Sequence, residues 1–139
     1  MLILLKEFEH GFVADDGNHK AGADGSTALW ASAKAMRLLA KGDGIIDPFQ
    51  QDRAIRKLQH FCDGNFKLFM PAAVKREYGE TFGVHLNQIR LAGFFAGGHA
   101  DFIAIGWFIK TAQRNDRRMN MIYEKVDGIR EAGHWRKVE

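Results

Sequence analysis

Apolar and polar positions change period several times along this chain, and each change marks an element. Leu2–Leu5 is a continuous apolar run, the pattern of a short buried strand. From Lys6 the chain turns polar and rich in Gly, Asp and His, so residues 6–27 read as one long loop. Ser26 or Thr27 is placed to cap a helix over about Ala28 to Lys41, with Leu29, Ala33, Met36 and Ala40 on one face and Leu39 beside them. Asp47-Pro48 opens a second helix, with Asp as cap, Pro at the first helical position and Gln50 in the first turn. Ala54, Ile55, Leu58, Phe61 and Cys62 then recur at the spacing of a buried helix face, and Gly64 ends the helix.

The second half changes to period two. Phe66–Met70 is short and apolar, closed by Pro71, and Ala72–Gly79 is a polar connection. Thr81–Gln88 alternates Phe82, Val84 and Leu86 against Gly83, His85 and Asn87, as a half-buried strand does. Ile89–Ala96 and Asp101–Ile109 are apolar runs joined through Gly97-Gly98, a hairpin signal. A last helix, with Asn115 or Asp116 as cap, buries Met119, Ile122, Val126 and Ile129 with Tyr123 adjacent, and stops at Gly133. The basic, aromatic tail after it reads either as a frayed end with Trp135 tucked onto the sheet or as a docking segment. The order is β–α–α–β–β–β–α. The expected class is α+β: a helical hairpin and a C-terminal helix packed on a small, antiparallel-rich sheet.

Composition narrows this further. A chain of 139 residues, 46% of them hydrophobic, is expected to form a single domain over 1–139 with a proper core. One cysteine, Cys62, excludes an internal disulfide framework and fits a reducing compartment or one where redox does not matter; a cytoplasmic location is expected. No apolar run approaches the ~18 residues of a membrane span, and Leu2–Leu5 is too short for a signal segment. The six histidines lack ligand spacing and Cys62 has no nearby partner cysteine, so no metal and no other cofactor is expected. Neither a G-x-S-x-G motif nor a phosphate-binding glycine loop is present.

Charge is where the chemistry concentrates. The chain carries a net +3, and Lys110–Arg118 alone carries as much, with Lys110, Arg114, Arg117 and Arg118 against Asp116. Cations at a helix start oppose the helix dipole, so local stability does not account for Arg117 and Arg118 there. Lys110 directly follows a strand, which fixes its place. His85 lies on the polar face of its strand and titrates near neutrality, as a catalytic group or as a partly exposed strand histidine.

Phe102-Ile103-Ala104-Ile105-Gly106-Trp107-Phe108-Ile109-Lys110-Thr111 resembles the final strand of RelE/HigB-type toxins, in the phage-derived toxin-like branch. Ile89-Arg90-Leu91-Ala92-Gly93-Phe94-Phe95 is similar to the strand before it, and Phe66–Pro71 to the segment after the second helix. The resemblance covers roughly Asp52 to Ala132. It implies a RelE-like fold and a metal-independent endoribonuclease of a toxin–antitoxin system. Such an enzyme cuts messenger RNA on the ribosome and is held by a cognate antitoxin protein; whether it forms a homodimer is left open. Carried over, Arg90 would bind the scissile phosphate and Lys110 would bind phosphate or move a proton. Arg114 takes the place of a following basic residue, and Lys75 and Arg76 would grip the RNA backbone. Arg117 and Arg118 join the RNA-binding candidates on their charge and position in the basic patch alone. His85 joins Arg90 and Lys110 as a catalytic candidate on its own chemistry. The chain departs from the pattern at Val84-His85-Leu86-Asn87, where the family carries W-E-L-R, and at Ile109, where it pairs two lysines. The alternatives are a non-catalytic relative binding a protein or nucleic acid, or a ParE-like gyrase inhibitor.

Overall fold

The computed structural model describes residues 2–7, 27–41, 48–62, 73–98, 100–110 and 117–138. Along the chain they form β1 (Ile3–Glu7), β2 (Ala28–Ala31), α1 (Ala33–Lys41), α2 (Pro48–His60), β3 (Val74–Tyr78), β4 (Thr81–Leu86), β5 (Ile89–Ala96), β6 (Asp101–Ile109), α3 (Arg117–Ala132) and β7 (Trp135–Val138). The seven described strands make one open sheet in the order β3-β4-β5-β6-β2-β1-β7. Pairing is antiparallel except between β6 and β2 and between β1 and β7. The α+β class holds, but the sheet is larger than the small one the pattern implies.

Alternation along the strands gives the sheet two apolar faces. Val84, Leu86, Ile89, Leu91, Phe102, Ala104 and Trp107 pack with Ala35, Leu38 and Leu39 of α1 and Ala54, Ile55, Leu58, Phe61 and Cys62 at α2. Leu5, Ala92, Phe94, Ile103, Ile105 and Phe108 pack with Met119, Tyr123 and Val126 of α3. The helix pair and the last helix therefore cover opposite faces. A bulge in β6, where Gly106 pairs with Ala92 but Ala104 pairs with Gly93, shifts the alternation by one residue. Gly97 and Gly98 turn the β5–β6 hairpin with φ of 62° and 71°, a conformation glycine adopts without a Cβ penalty.

Four expectations change. Ala28–Ala31 is a strand, paired in parallel with Asp101–Ala104 of β6. The helix starts only at Ala33, capped by Ser32, whose Oγ accepts a hydrogen bond from the Ala35 amide (3.2 Å) and donates one to the Ile105 carbonyl (2.6 Å). The shift rotates the buried face to Ala35, Leu38 and Leu39 and leaves Ala33 exposed. Four apolar residues fit either period, and the open side of β6 decides for strand.

The polar stretch before β4 is β3, whose Val74 alone is buried. Charges on an edge strand block further pairing, and they also mask the apolar alternation that would reveal it. The tail is β7, in register with β1 from Ile3↔Trp135 to Lys6↔Val138. Trp135 packs on Phe94 with ring centroids 5.5 Å apart, and Lys137 reaches Asp101 at 2.5 Å while covering the Trp30 ring. The first run is less buried than its composition suggests: Leu5 is enclosed, whereas Leu2 and Leu4 are about half exposed. Strand β1 also takes in Lys6 and Glu7, which the sequence assigns to the loop at 6–27.

Residues 8–26 (with the cap candidate Ser26), Phe66–Pro71, the caps assigned to Asp47, Asn115 and Asp116, and the stop at Gly64 lie outside the described residues. Helix α3 ends at Gly133, with φ of 65°, where the sequence places its stop. It is fastened to the β3–β4 turn by Asp127. That carboxylate accepts hydrogen bonds from the Glu80 amide (3.1 Å), the Thr81 hydroxyl (3.1 Å) and Arg130 Nε (2.9 Å).

Candidate functional site

Strands β4, β5 and β6 each bring one candidate to the end of the sheet face that α3 partly covers. In the β4–β5 ladder His85 stands directly opposite Arg90, and Arg90 stands opposite Phe108 of β6. Lys110 is the second residue after Phe108, and its amide donates to the Gln88 carbonyl at 2.7 Å, which ties it to the β4–β5 turn. Lys75, on β3, pairs with Gly83, two residues before His85. Arg90, Lys110 and His85 are half-buried and Lys75 is exposed. The structure thus gathers the three catalytic candidates and one of the RNA-binding candidates.

The electrostatics agree with this placement. The His85 imidazole is lowered from 6.5 to about 4, by burial first and then by Arg90, Lys110, Lys75 and Lys57 in turn. At neutral pH the ring is an uncharged hydrogen-bond acceptor set among cations. Because the unfolded chain binds this proton near pH 6.5 and the folded chain does not, stability falls as pH drops from 6.5 toward 4 and levels off below. The expected loss is on the order of 2 kcal/mol. Urea unfolding of wild type and His85→Gln at pH 4.5 and pH 7 measures it, and an equal pH response in both proteins would remove His85 as the cause.

The remaining candidates divide. Arg76 pairs with Phe82, whose side chain packs on the helix-pair side, so it lies on the opposite face from His85 and bonds Glu80 at 3.1 Å. Arg117 and Arg118 are exposed at the first two positions of α3. Arg114 lies outside the described residues.

Two residues that sequence reasoning did not select join the face, and a third, Lys57, reaches the β4–β5 turn from the helix-pair side. Glu77 of β3 has a side chain only 10% exposed, with Oε1 3.9 Å from His85 Nε2. Tyr123 of α3 is enclosed, its ring edge-on to Phe108 at 5.4 Å and its hydroxyl over Gly83. A Cβ at Gly83 would come within 2.5 Å of that hydroxyl, so glycine is what lets α3 settle here. Burial raises the Tyr123 phenol well above its usual range, Glu77 adds to the rise and Arg90 opposes it. Lys57 of α2 donates to Asn87 Oδ1 at 3.4 Å. Tyr123 carried a helical-period signal for burial; Glu77 and Lys57 had no signal, because only pairing and packing bring them close.

Asn87, where an arginine is expected, has its explanation in the backbone. It sits in the β4–β5 turn with φ of 60°, a region that Asn adopts far more readily than most residues. Its carbonyl accepts from Arg90 Nη1, which also bonds the Ile89 carbonyl at 3.2 Å, so the turn orients the Arg90 guanidinium.

These features define an α+β protein with a basic, partly enclosed sheet face beside its last helix. Comparison with protein-family models, with curated proteins and with solved structures gave no match for this chain. Among the described residues no three His, Cys, Asp or Glu side chains come together in a metal-binding group, and no helix is long and apolar enough to cross a membrane.

Proposed function

We propose that this protein is a toxin-like, metal-independent endoribonuclease whose cutting site is the sheet face around His85, Arg90 and Lys110. The observation that carries the proposal is the convergence on His85 of Arg90, Lys110 and Lys75 from β5, the end of β6 and β3. RNA cleavage without a metal needs a base for the ribose 2′-hydroxyl, cations for the charge on the phosphorane, and an acid for the 5′ oxygen. Neutral His85 accepts the 2′-hydroxyl proton as that oxygen attacks phosphorus. Arg90 and Lys110 hold the non-bridging oxygens, and Lys110 protonates the departing 5′ oxygen. The products are a 2′,3′-cyclic phosphate and a 5′-hydroxyl end. Phosphate charge offsets the cations around His85, so RNA binding itself raises the affinity of the ring for a proton.

The helix pair, the successive strands β4, β5 and β6 and the following α3 support the reading, while β2, β3 and β7 are additional to the order the toxin resemblance implies. By the same resemblance the partners are ribosome-bound messenger RNA and a cognate antitoxin protein.

The test is incubation of translated and free transcripts with purified protein in excess chelator, followed by end-group mapping. Cyclic phosphate ends that appear with wild type are the expected result. Absence of cleavage on both substrates defeats the nuclease reading. Salt-dependent RNA binding without cleavage, or inhibition of a topoisomerase instead, would select the non-catalytic or the ParE-like alternative.

A further inference from the structure

We propose that a second site, the cleft between β1, the start of α1, β6 and α3, binds a medium-chain carboxylate, a small soluble anion with an apolar body. The cleft measures about 470 Å³, within the range of small-molecule sites of roughly 300–1,000 Å³. None of its lining residues belongs to the His85 cluster.

Its origin lies in the strand lengths. Strand β2 ends at Ala31, because Ser32 caps α1, whereas β6 continues to Ile109. The register of β1 with β2 stops at Lys6↔Ala31, so Ile3, Leu4 and Leu5 of β1 have no β2 neighbour. A gap one strand wide is left between the first half of β1 and the last half of β6, and α3 closes it from below through Ile122, Val126 and Ile129.

Gly106 deepens the gap. It pairs with Ala92 beside the bulge, on the face toward α3. A Cβ there would meet only Ile122 and Val126, both at 3.9 Å, and its φ lies outside the left-handed region. Neither crowding nor backbone conformation demands glycine at this position. A glycine inside a strand often marks a bulge or the close approach of another group, and here the missing side chain is part of the open volume.

The lining determines the ligand class. Ile105, Ile122, Val126 and Ile129 give an apolar wall, and the charged lining residues are Lys34, Arg37 and Lys125, all exposed. No carboxylate is among the described lining residues. An apolar chain inside with its negative head at the α3 side of the rim, beside Lys125, satisfies both halves of the cleft.

Decanoate is the probe, titrated into the full-length protein by calorimetry beside octanoate, decanol and decyltrimethylammonium. Saturable decanoate binding is expected, roughly tenfold tighter than octanoate because two more methylenes are buried. Decanol and the cationic analogue should bind at least about tenfold more weakly, since an opposite charge is worth at least one decade here. Gly106→Val fills the cleft and should abolish binding while the circular dichroism spectrum is kept. Lys125→Glu, an exposed position, should weaken binding by about tenfold and serves if Gly106→Val does not fold. Equal affinity for decanol, unchanged binding by Lys125→Glu, or partition into phosphatidylglycerol vesicles in preference to free decanoate would overturn the proposal.

Discussion

Replacing Arg90 with alanine is expected to lower RNA cleavage by about 10²–10³-fold while leaving the protein folded. Arg90 stands opposite His85 in the β4–β5 ladder, and its guanidinium is oriented by the Asn87 and Ile89 carbonyls. A fixed, doubly donating cation beside a developing phosphorane stabilises charge that is absent in the ground state, so the loss should fall on kcat more than on KM. Lysine is not an adequate substitute, because its ammonium lacks the planar fork that donates to the carbonyls on one side and to a phosphate oxygen on the other. Lys110→Ala should fall in the same range, and the double variant should lose less than the product of the two losses, since both act on one transition state. Single-turnover cleavage with an intact far-UV spectrum is the measurement. An Arg90→Ala protein that cleaves within about threefold of wild type would remove this face from the chemistry.

The largest loss of stability is expected at Asp127. Alanine there should cost about 3 kcal/mol, or roughly 6–12 °C in Tm. Thr81 is fully enclosed and Asp127 nearly so, and removing the carboxylate leaves the Thr81 hydroxyl and the Glu80 amide without their acceptor. Arg130, with 27% of its side chain exposed, can turn to water and limits the loss. Although burial alone would raise the Asp127 pKa, the hydrogen bonds from Arg130, the Glu80 amide and Thr81 outweigh it and hold the group below its usual value. The stabilisation is therefore present above the unfolded carboxylate pKa near 3.8 and is lost as pH falls through the lower folded value. Thermal melts of wild type, Asp127→Asn and Asp127→Ala at pH 7 should rank in that order of decreasing stability. An alanine variant as stable as wild type would show that the turn is held elsewhere. Asp127 lies one helical turn beyond Tyr123, so the same change should also loosen the Tyr123–Gly83 contact beside His85.

Legibility in the sequence followed how local each interaction is. The β5–β6 hairpin, α2 with its buried Ala54, Ile55, Leu58, Phe61 and Cys62, and α3 with its stop at Gly133 were all readable, because turn chemistry and periodicity act over a few residues. Strand β3 was not: an edge strand keeps its charges on the outside, and its pairing depends on β4. Strand β7 and the pairing of β2 depend on partners far along the chain, Leu5 and Ile103 among them. Arg90, Lys110 and His85 were singled out by resemblance and side-chain chemistry, yet nothing local could show that they share one face, or that Arg76 does not.

By itself the sequence determined the α+β class, the buried faces of α2 and α3, the glycine turns and which side chains carry positive charge. Each follows from backbone sterics or from side-chain chemistry that a residue carries wherever it is placed. Only the tertiary structure decided that the sheet extends to seven described strands, that Glu77 and Tyr123 border the His85 cluster, and that a short β2 leaves a cleft beside Gly106. Those outcomes depend on register and on layer packing between segments distant in the chain, and the proton affinity of His85 depends on the charges that such packing brings to it.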